Sequence, residues 1–127
     1  MAYRGPVHQW DLFTADLNPS VGSEQGGETR PVLVVSNDGF NAHFSIVTIL
    51  PLTKREGKAR KVYSFEVELV AHIAGNPLDS IVMPQQIRTI DKVRLLECLG
   101  TLRDEELRRT IEDRMLQHLG IAIDDTY

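Results

Sequence analysis

Cysteine is nearly absent from this chain, since Cys98 is the only one among 127 residues. A disulfide framework is therefore excluded, and a reducing, cytoplasmic setting is expected. No apolar run approaches the length of about 20 residues that crosses a bilayer. The N-terminal residues also lack the hydrophobic stretch of a signal peptide. We therefore expect a cytosolic protein.

The patterns of several common enzyme classes are missing as well. Gly22–Gly27 is not followed by the lysine that a nucleotide-phosphate loop requires, and no nucleophile elbow is present. Cys98 has apolar neighbours that would raise its pKa, so we expect it in the core rather than as a nucleophile. No metal site and no cofactor is predicted, because no histidines have the spacing of a metal-binding pair. The histidines are His8, His43, His72 and His118.

Positive charge is also in the minority, with 14 basic against 18 acidic residues and a formal net charge of −4. This balance argues against broad, non-specific attraction to nucleic acid. The charge is uneven, because the run from Lys54 to Lys61 carries five cations and one anion, a local charge of +4 that leaves −8 on the remainder. A basic strip of this kind can hold a polyanion, and it can equally be a solvated loop.

Length and composition predict a single domain over residues 1–127, with enough apolar residues, 42%, to form a core without metal or disulfide staples. Short apolar segments bounded by Gly, Pro, Asn and Asp predict six or so strands and no βαβ rhythm. Asn37–Gly39 is expected to close the second strand as a turn, and residues 85–92 are expected to lead into another turn. The strands are expected within residues 7–17, 32–36, 44–52, 62–69, 80–83 and 95–102.

One helix is predicted, from Asp104 to Leu119. Acids occupy its first turn, and Gly120 stands where a C-terminal cap belongs. Its apolar residues recur every four positions and are expected in the core: Leu107, Ile111, Met115 and Leu119. Short strands with one terminal helix predict a mainly β fold, a small antiparallel barrel of SH3-like size.

A polar, glycine-rich loop leads directly into a buried strand at Arg30. The glycines of Gly22–Gly27 allow positive φ and a close approach to a ligand, whereas Val32–Ser36 is typical of a buried strand. Pro31 forces Arg30 into an extended conformation and marks the start of the strand. Arg30 is thus expected to be held firmly at its base while its guanidinium reaches an anion.

Several sequence blocks in a fixed order give the chain a specific resemblance. They are Val-Gly-Ser-Glu-Gln-Gly-Gly, Arg-Pro-Val-Leu-Val-Val-Ser-Asn-Asp, Pro-Leu-Thr, and Gln-Ile-Arg-Thr-Ile-Asp-Lys with a later Leu-Gly-Thr-Leu. From about Arg4 to Leu119 the chain resembles the MazF/PemK/Kid family of toxin endoribonucleases, the mRNA interferases. It departs from that family at Pro6, where an acidic residue is usual, and at Glu28–Thr29, where the loop is one residue longer.

The resemblance implies an SH3-like barrel of the MazF/CcdB type that forms a homodimer. It implies metal-independent cleavage of single-stranded mRNA at short sequences, a MazE-like antitoxin as partner, and contact with DNA only through that antitoxin. Carried over residue by residue, the catalytic pair is Arg30 and Thr53. The residues expected to bind RNA are Ser23, Glu24, Gln25, Gln86, Lys54 and Arg55.

RNA carries its own nucleophile, the 2′-hydroxyl, so neither a metal nor a cysteine is required to cleave it. The arginine fork suits two phosphate oxygens and Thr53 can donate a third hydrogen bond, but Arg30 is a poor general base. Glu24 and His43 are the candidate proton acceptors. Two other functions stay open at this point: a non-catalytic, CcdB-like inhibitor of DNA gyrase on the same fold, and an inactive barrel that only binds its antitoxin.

Overall fold

The computed structural model describes residues 2–26, 29–56 and 60–121. The extra loop residue predicted at Glu28 and the basic residue Lys58 therefore lie outside the described residues. Short 3₁₀ turns at Pro84–Gln86 and Lys92–Arg94 flank the sixth strand. The strands and α-helices of the described part are β1 Asp11–Ala15, β2 Arg30–Val34, α1 Asp38–His43, β3 Ile46–Lys54, β4 Val67–Leu69, β5 Ser80–Val82, β6 Arg88–Asp91, β7 Leu95–Thr101 and α2 Glu105–His118.

The strands form one antiparallel sheet in the order β4-β5-β3-β2-β1-β7, with β6 paired to β3 beside this path. β3 is the longest strand and has three partners: β6 and β2 along its first part, and β5 along its last three residues. Within the described residues no pairing joins β4 to β7, so hydrogen bonds do not close the sheet into a ring. The predicted mainly antiparallel fold with a C-terminal helix is confirmed.

Side chains alternate between the two faces along each strand, and each face is covered by a buried apolar cluster. This explains why β2 is a continuous apolar run rather than an alternating one. One face contains Leu12, Leu33, Leu50, Leu52 and Val82, and forms one core cluster with Ile111 of α2. The opposite face contains Phe13, Val32, Val34, Val47, Ile49 and Leu95.

The segment after β2 is a short helix, α1, where the sequence predicted a turn. The Asn37 side chain accepts a hydrogen bond from the Phe40 amide at 2.8 Å and caps the helix. Asn and Asp favour both turns and helix N-caps, because their side chains satisfy backbone amides in either. The turn prediction was therefore wrong, although it located the chain reversal correctly.

The fourth strand is much shorter than predicted, because only Val67–Leu69 pairs with β5. Residues 62–66 instead form a turn in which the Glu66 amide donates to the Tyr63 carbonyl oxygen at 2.9 Å. The segment from Gln85 also differs from the prediction, since it contains a 3₁₀ turn and then β6, paired to β3 from Ile46 to Ile49.

The predicted C-terminal helix is confirmed as α2, capped by Asp104, whose side chain accepts from the Leu107 amide. Ile111 is buried, but Leu119 is 55% exposed, so its placement in the core was wrong. Leu119 is the C-cap residue, where the helix extends beyond the sheet that its other apolar residues cover. Neither α1 nor α2, the α-helices of the described part, has the length and apolarity needed to cross a membrane.

The core placement of Cys98 was also wrong, because its side chain is exposed on β7. β7 lies at an end of the sheet, so one of its edges lacks a strand partner in the described part. The strand packs closely against the turn at Gly75, which has φ +89°. A Cβ at Gly75 would lie 2.2 Å from the Leu99 carbonyl oxygen, so only glycine fits there.

Candidate active site

Arg30 and Thr53 stand on neighbouring strands at the same end of the sheet. Arg30 is the first residue of β2, and Thr53 is the second-to-last residue of β3. Val32 pairs with Pro51 across these strands, and continuing that antiparallel register by two residues sets Arg30 opposite Thr53. The strand ends thus bring together two residues far apart in sequence.

Both side chains line one cleft with a volume of about 540 Å³, which we call the Arg30–Thr53 cleft. Its walls come from the ends of β2 and β3 and from the segment before β5, and they include Lys54, Glu56 and Ser80. Thr53 is half-buried and faces the cleft from a strand that three neighbours hold in place. A guanidinium, a hydroxyl and an ammonium in the lining of one cleft form a site suited to a phosphate group.

The Arg30 guanidinium is held from behind by the glycine-rich loop. Its Nε donates to the Gly26 carbonyl oxygen at 2.5 Å. With the side-chain amide of Gln25 assigned so that its oxygen faces the guanidinium, that oxygen lies 2.6 Å from Nη1 and 3.0 Å from both Nε and Nη2. Partial burial lowers the pKa of Arg30, but arginine stays protonated in proteins. Arg30 is therefore a positioned cation rather than a proton acceptor.

The predicted RNA-binding residues of the loop lie beside a second cleft of about 290 Å³, the loop cleft, bordered by Glu24, Gln25, Gln85 and Gln86. The Gln86 side chain holds the loop from both ends of its amide. Its Nε2 donates to the Ser23 carbonyl oxygen at 3.2 Å, and its Oε1 accepts from the backbone N–H of Gln25 at 3.4 Å. Ser23, Gln25 and Gln86 are thus brought together, with Gln86 bound to loop backbone.

Of the two predicted proton acceptors, only Glu24 lies beside either cleft. Its carboxylate borders the loop cleft and accepts a hydrogen bond from the Val21 amide at 2.9 Å. His43 lies at the end of α1, before the first residue of β3. Because Thr53 is at the other end of that strand, the two residues are on the order of 20 Å apart along it.

Sequence reasoning missed Glu56, a carboxylate in the wall of the Arg30–Thr53 cleft itself. It has a left-handed backbone with φ +54°, which turns the chain sharply just after β3. The sequence feature that could have indicated it is its place as the one acid within the basic run, three residues after Thr53.

Two arginines of the basic run are paired with carboxylates in the described residues. Arg55 Nε pairs with Glu68 at 2.7 Å, and Arg60 forms two parallel hydrogen bonds of 3.0 Å with Glu66. Lys54, which is exposed and borders the Arg30–Thr53 cleft, is the cation of the predicted Lys54–Arg55 pair that faces the site. The strip is therefore weaker as a polyanion surface than its sequence charge indicates.

Glu66 is a fully buried carboxylate that connects the basic run to the loop cleft. It accepts from Arg60, from the Tyr63 amide at 3.1 Å and from Gln85 Nε2 at 2.7 Å. Burial raises the pKa of Glu66, but the hydrogen bonds from Arg60, Gln85 and the Tyr63 amide outweigh it, so the pKa lies below its usual value. Gln85 and Gln86 share one 3₁₀ turn, so this network also fixes the residue that holds the loop.

Metal-ligating side chains do not cluster in the described residues, where no group of three or more His, Cys, Asp or Glu is arranged to hold an ion. The polar groups that line the two clefts include a guanidinium, a hydroxyl, amides and two separated carboxylates. This set is suited to binding and polarising a phosphodiester.

Comparison with known proteins gives a consistent result. The family model described as "PemK-like, MazF-like toxin of type II toxin-antitoxin system" matches residues 8–118. The chain is 41% identical over 119 residues to Endoribonuclease EndoA of Bacillus subtilis (strain 168), an alignment that covers 94% of this chain and 97% of that protein.

Solved structures show the same fold. MazF (Form-I) from Deinococcus radiodurans is similar with a TM-score of 0.75 at 25% identity, over 92% of this chain and 99% of that one. An endoribonuclease in complex with its cognate antitoxin, from Mycobacterial species, is similar with a TM-score of 0.72 at 22% identity, over 92% and 98% of the two chains. At 22% identity this second likeness is one of fold.

Proposed function

The chain belongs to the PemK-like and MazF-like toxins of type II toxin–antitoxin systems, and from that premise we propose how it acts: as an endoribonuclease that cleaves single-stranded RNA by attack of the RNA's own 2′-hydroxyl. The enzyme class follows from the family and from 41% identity to Endoribonuclease EndoA. The observation that supports the chemistry is the cleft shared by Arg30 and Thr53.

The reaction proceeds in line at one phosphodiester. The 2′-oxygen loses its proton and bonds to phosphorus, the bond from phosphorus to the 5′-oxygen breaks, and the leaving oxygen takes up a proton. The products are a 2′,3′-cyclic phosphate and a 5′-hydroxyl. Arg30 binds two of the phosphate oxygens and Thr53 donates to the crowded intermediate. Removing one such donor costs on the order of a hundredfold or more in rate.

Arg30 enters this reaction already oriented. Its Nε donates to the Gly26 carbonyl oxygen and the side-chain oxygen of Gln25 lies against the guanidinium, so these contacts hold the group in place. A cation fixed before the substrate binds does not reorganise as the negative charge develops, which is the condition for strong electrostatic stabilisation. Gln25 thus acts on the chemistry through Arg30 as well as bordering the loop cleft.

The proton acceptor is a carboxylate, and the clefts offer two. Glu56 borders the cleft of Arg30 and Thr53, whereas Glu24 borders the loop cleft. Glu56 is favoured because it shares a wall with the residues that bind the scissile phosphate. Glu56→Gln is expected to remove the acidic limb of the pH–rate profile, and Glu24→Gln is the matched control. An acidic limb that persists in Glu56→Gln and disappears in Glu24→Gln would reverse the assignment.

The partners follow from the same premise. Related structures are described as an endoribonuclease in complex with its cognate antitoxin, from Mycobacterial species, and as MazE–MazF from Deinococcus radiodurans. By extension, this chain is proposed to act as a homodimer in the cytosol, to be neutralised by a MazE-like antitoxin, and to contact DNA only through that antitoxin. The loop residues Ser23–Gln25 with Gln86 are proposed to select bases, and Lys54 to hold the adjoining backbone.

A direct test incubates the purified protein with a long RNA in EDTA and maps the ends of the fragments. Cyclic-phosphate and 5′-hydroxyl ends, lost in Arg30→Ala and in Thr53→Val, are expected. A substrate with a 2′-deoxy nucleotide at the scissile position should bind without being cut, and efficient cutting of it would refute intramolecular attack. Growth inhibition through DNA gyrase without RNA cleavage would instead support the CcdB-like alternative, which the family match disfavours.

A further inference from the structure

An exposed aromatic pair lies near the loop cleft, outside the site described above. Tyr63 and Phe65 stack with their ring centroids 5.4 Å apart and their planes 3° from parallel. They are 46% and 41% exposed. Burial of such rings is favourable, so a stacked pair left in contact with solvent is a surface available for binding.

Two cations lie beside the Tyr63 ring of this pair. Lys61 Nζ lies 5.1 Å from the centroid of the Tyr63 ring, and the guanidinium carbon of Arg60 lies 5.9 Å from it. Both distances fall within the range of cation–π contacts. The Arg60 charge is matched by Glu66, whereas Lys61 makes no ion pair within the described residues. The aromatic pair is therefore bordered by positive charge.

The pair is also held rigidly. Arg114, on α2, donates from Nε to the Ser64 carbonyl oxygen at 2.9 Å, which ties the segment between the two rings to the helix. Glu66, the next residue after Phe65, is anchored by Arg60 and Gln85. A surface whose backbone is fixed on both sides loses little conformational entropy when it binds.

Phe65 also lines a cavity of about 400 Å³ together with Gln85, Gln117 and His118. Gln85 borders the loop cleft as well, so the cavity adjoins the surface where bases are proposed to be selected. Gln25 contacts Arg30 and borders the loop cleft, and Gln85 borders both the loop cleft and the cavity of Phe65, so these residues outline a path from Arg30 to Phe65. A strand of RNA that follows this path would reach the aromatic pair after the nucleotides next to the scissile phosphate.

We infer that Tyr63 and Phe65 form an accessory stacking site for one or two bases of the same RNA strand, outside the nucleotides that flank the cut. Every base has a π-face, so aromatic platforms bordered by cations bind single strands with little sequence preference. The site would therefore add affinity for RNA without adding base selectivity. This inference rests on the proposed function, because it assumes that RNA occupies the loop cleft.

The test compares RNAs of increasing length around one cut site. We expect Phe65→Ala to leave kcat/KM unchanged for the shortest RNA that is cut. On longer RNAs it should lower kcat/KM by between about fivefold and a hundredfold, while Phe65→Trp retains the wild-type value. Phe44→Ala is the matched control, since Phe44 is 56% exposed and stacks on Phe40 with centroids 4.8 Å apart, but it is the C-cap residue of α1.

A second measurement does not depend on cleavage. An RNA with a 2′-deoxy nucleotide at the scissile position carries 2-aminopurine at successive flanking positions. Its fluorescence should be quenched at one or two of these positions by the wild type and by Phe44→Ala, but not by Phe65→Ala. Cleavage of the all-ribose RNA together with no quenching of the 2′-deoxy probe would overturn the inference alone. Quenching of the probe without any cleavage of the all-ribose RNA would overturn the proposed reaction alone.

Two further results would overturn the inference. One is a Phe65→Ala variant that slows short and long RNAs equally while keeping the wild-type melting temperature. The other is a variant whose RNA length dependence is unchanged but whose dimer or antitoxin complex is weakened, which would make the pair a protein contact surface.

Discussion

Replacing Arg60 with methionine is expected to destabilise the protein strongly at neutral pH, because it leaves Glu66 buried without its cation. The Glu66 side chain is 0% exposed and that of Arg60 is 29% exposed. Removing one partner of a buried ion pair typically costs about 3 to 5 kcal/mol. We expect about 3 kcal/mol here, because the Gln85 and Tyr63 donors to Glu66 remain. For a chain of this size the loss corresponds to about 12 °C in melting temperature.

The assay is urea unfolding at pH 7, monitored by tryptophan fluorescence. Trp10 is the only tryptophan in the sequence and is 6% exposed in the core, so its emission reports global unfolding. Arg109→Met is the matched control, because Arg109 is 80% exposed and faces Glu105 at 4.0 Å on the surface of α2. Exposed pairs of this kind contribute little, so the control should unfold close to the wild-type midpoint.

The penalty should depend on pH in a defined direction. The pKa of Glu66 lies below its usual value, since its hydrogen bonds outweigh burial. Such a carboxylate stabilises the fold above its unfolded pKa of about 4.3, and this stabilisation is lost as the pH falls through the lower folded pKa. Without Arg60, burial dominates and the carboxyl group takes up its proton at higher pH. The difference between Arg60→Met and the wild type should therefore be full at pH 7 and shrink below about pH 5.

Adding Glu66→Met to Arg60→Met should restore part of the lost stability, because no buried charge then remains, although the Tyr63 amide and Gln85 lose their acceptor. An unchanged midpoint in Arg60→Met at pH 7 would refute the reasoning. So would a penalty that stays constant from pH 7 to pH 4.5, since it would show that the charge on Glu66 is not its source.

Three further predictions address the loop, the turn beside β7 and the thiol. Gln86→Ala removes both hydrogen bonds by which Gln86 holds the loop. The ratio of cleavage at preferred sites to cleavage at sites with one base altered should therefore fall about fivefold in a competition assay, and an unchanged ratio would contradict this. Gly75→Ala, with its Cβ 2.2 Å from the Leu99 carbonyl oxygen, should lower the melting temperature far more than Gly22→Ala, where nothing lies within 4 Å of the added Cβ. Partial burial and nearby Asp11 raise the pKa of the Cys98 thiol, so despite its exposure it should react with a disulfide reagent slowly at pH 7 and faster as the pH rises. Labelling as fast as that of the urea-unfolded chain would count against this.

The elements that the sequence predicted well are those whose patterns are local. The apolar run that begins at Val32 and the four-residue spacing in α2 each depend on neighbours within a few positions, and both were found. The segment at Asn37 was misassigned because the same side-chain hydrogen bond serves a turn and a helix N-cap. Residues 62–66 were predicted as strand but form a turn held by Glu66, whose partners Arg60 and Gln85 are 6 and 19 residues away.

The candidate site was predictable to the same extent. Arg30 and Thr53 were carried over from the family resemblance, and the register of β2 and β3 accounts for their proximity. The role of Gln86 as a clamp on the loop was not predictable, because it joins residues more than 60 positions apart. Glu56 was missed for a different reason, since the cleft wall that it forms exists only after β3 and β5 are paired.

The different ways in which Thr53 and the loop are held bear on how relatives of this protein can diverge. Thr53 belongs to a strand bonded to three others, so its place in the cleft is fixed by the sheet. Ser23 and Gln25 are attached to Gln86 by two long hydrogen bonds at the surface. Substitutions in the loop can therefore accumulate at little cost in stability. A lineage built on this scaffold would keep one cleavage reaction while its target sequences drift.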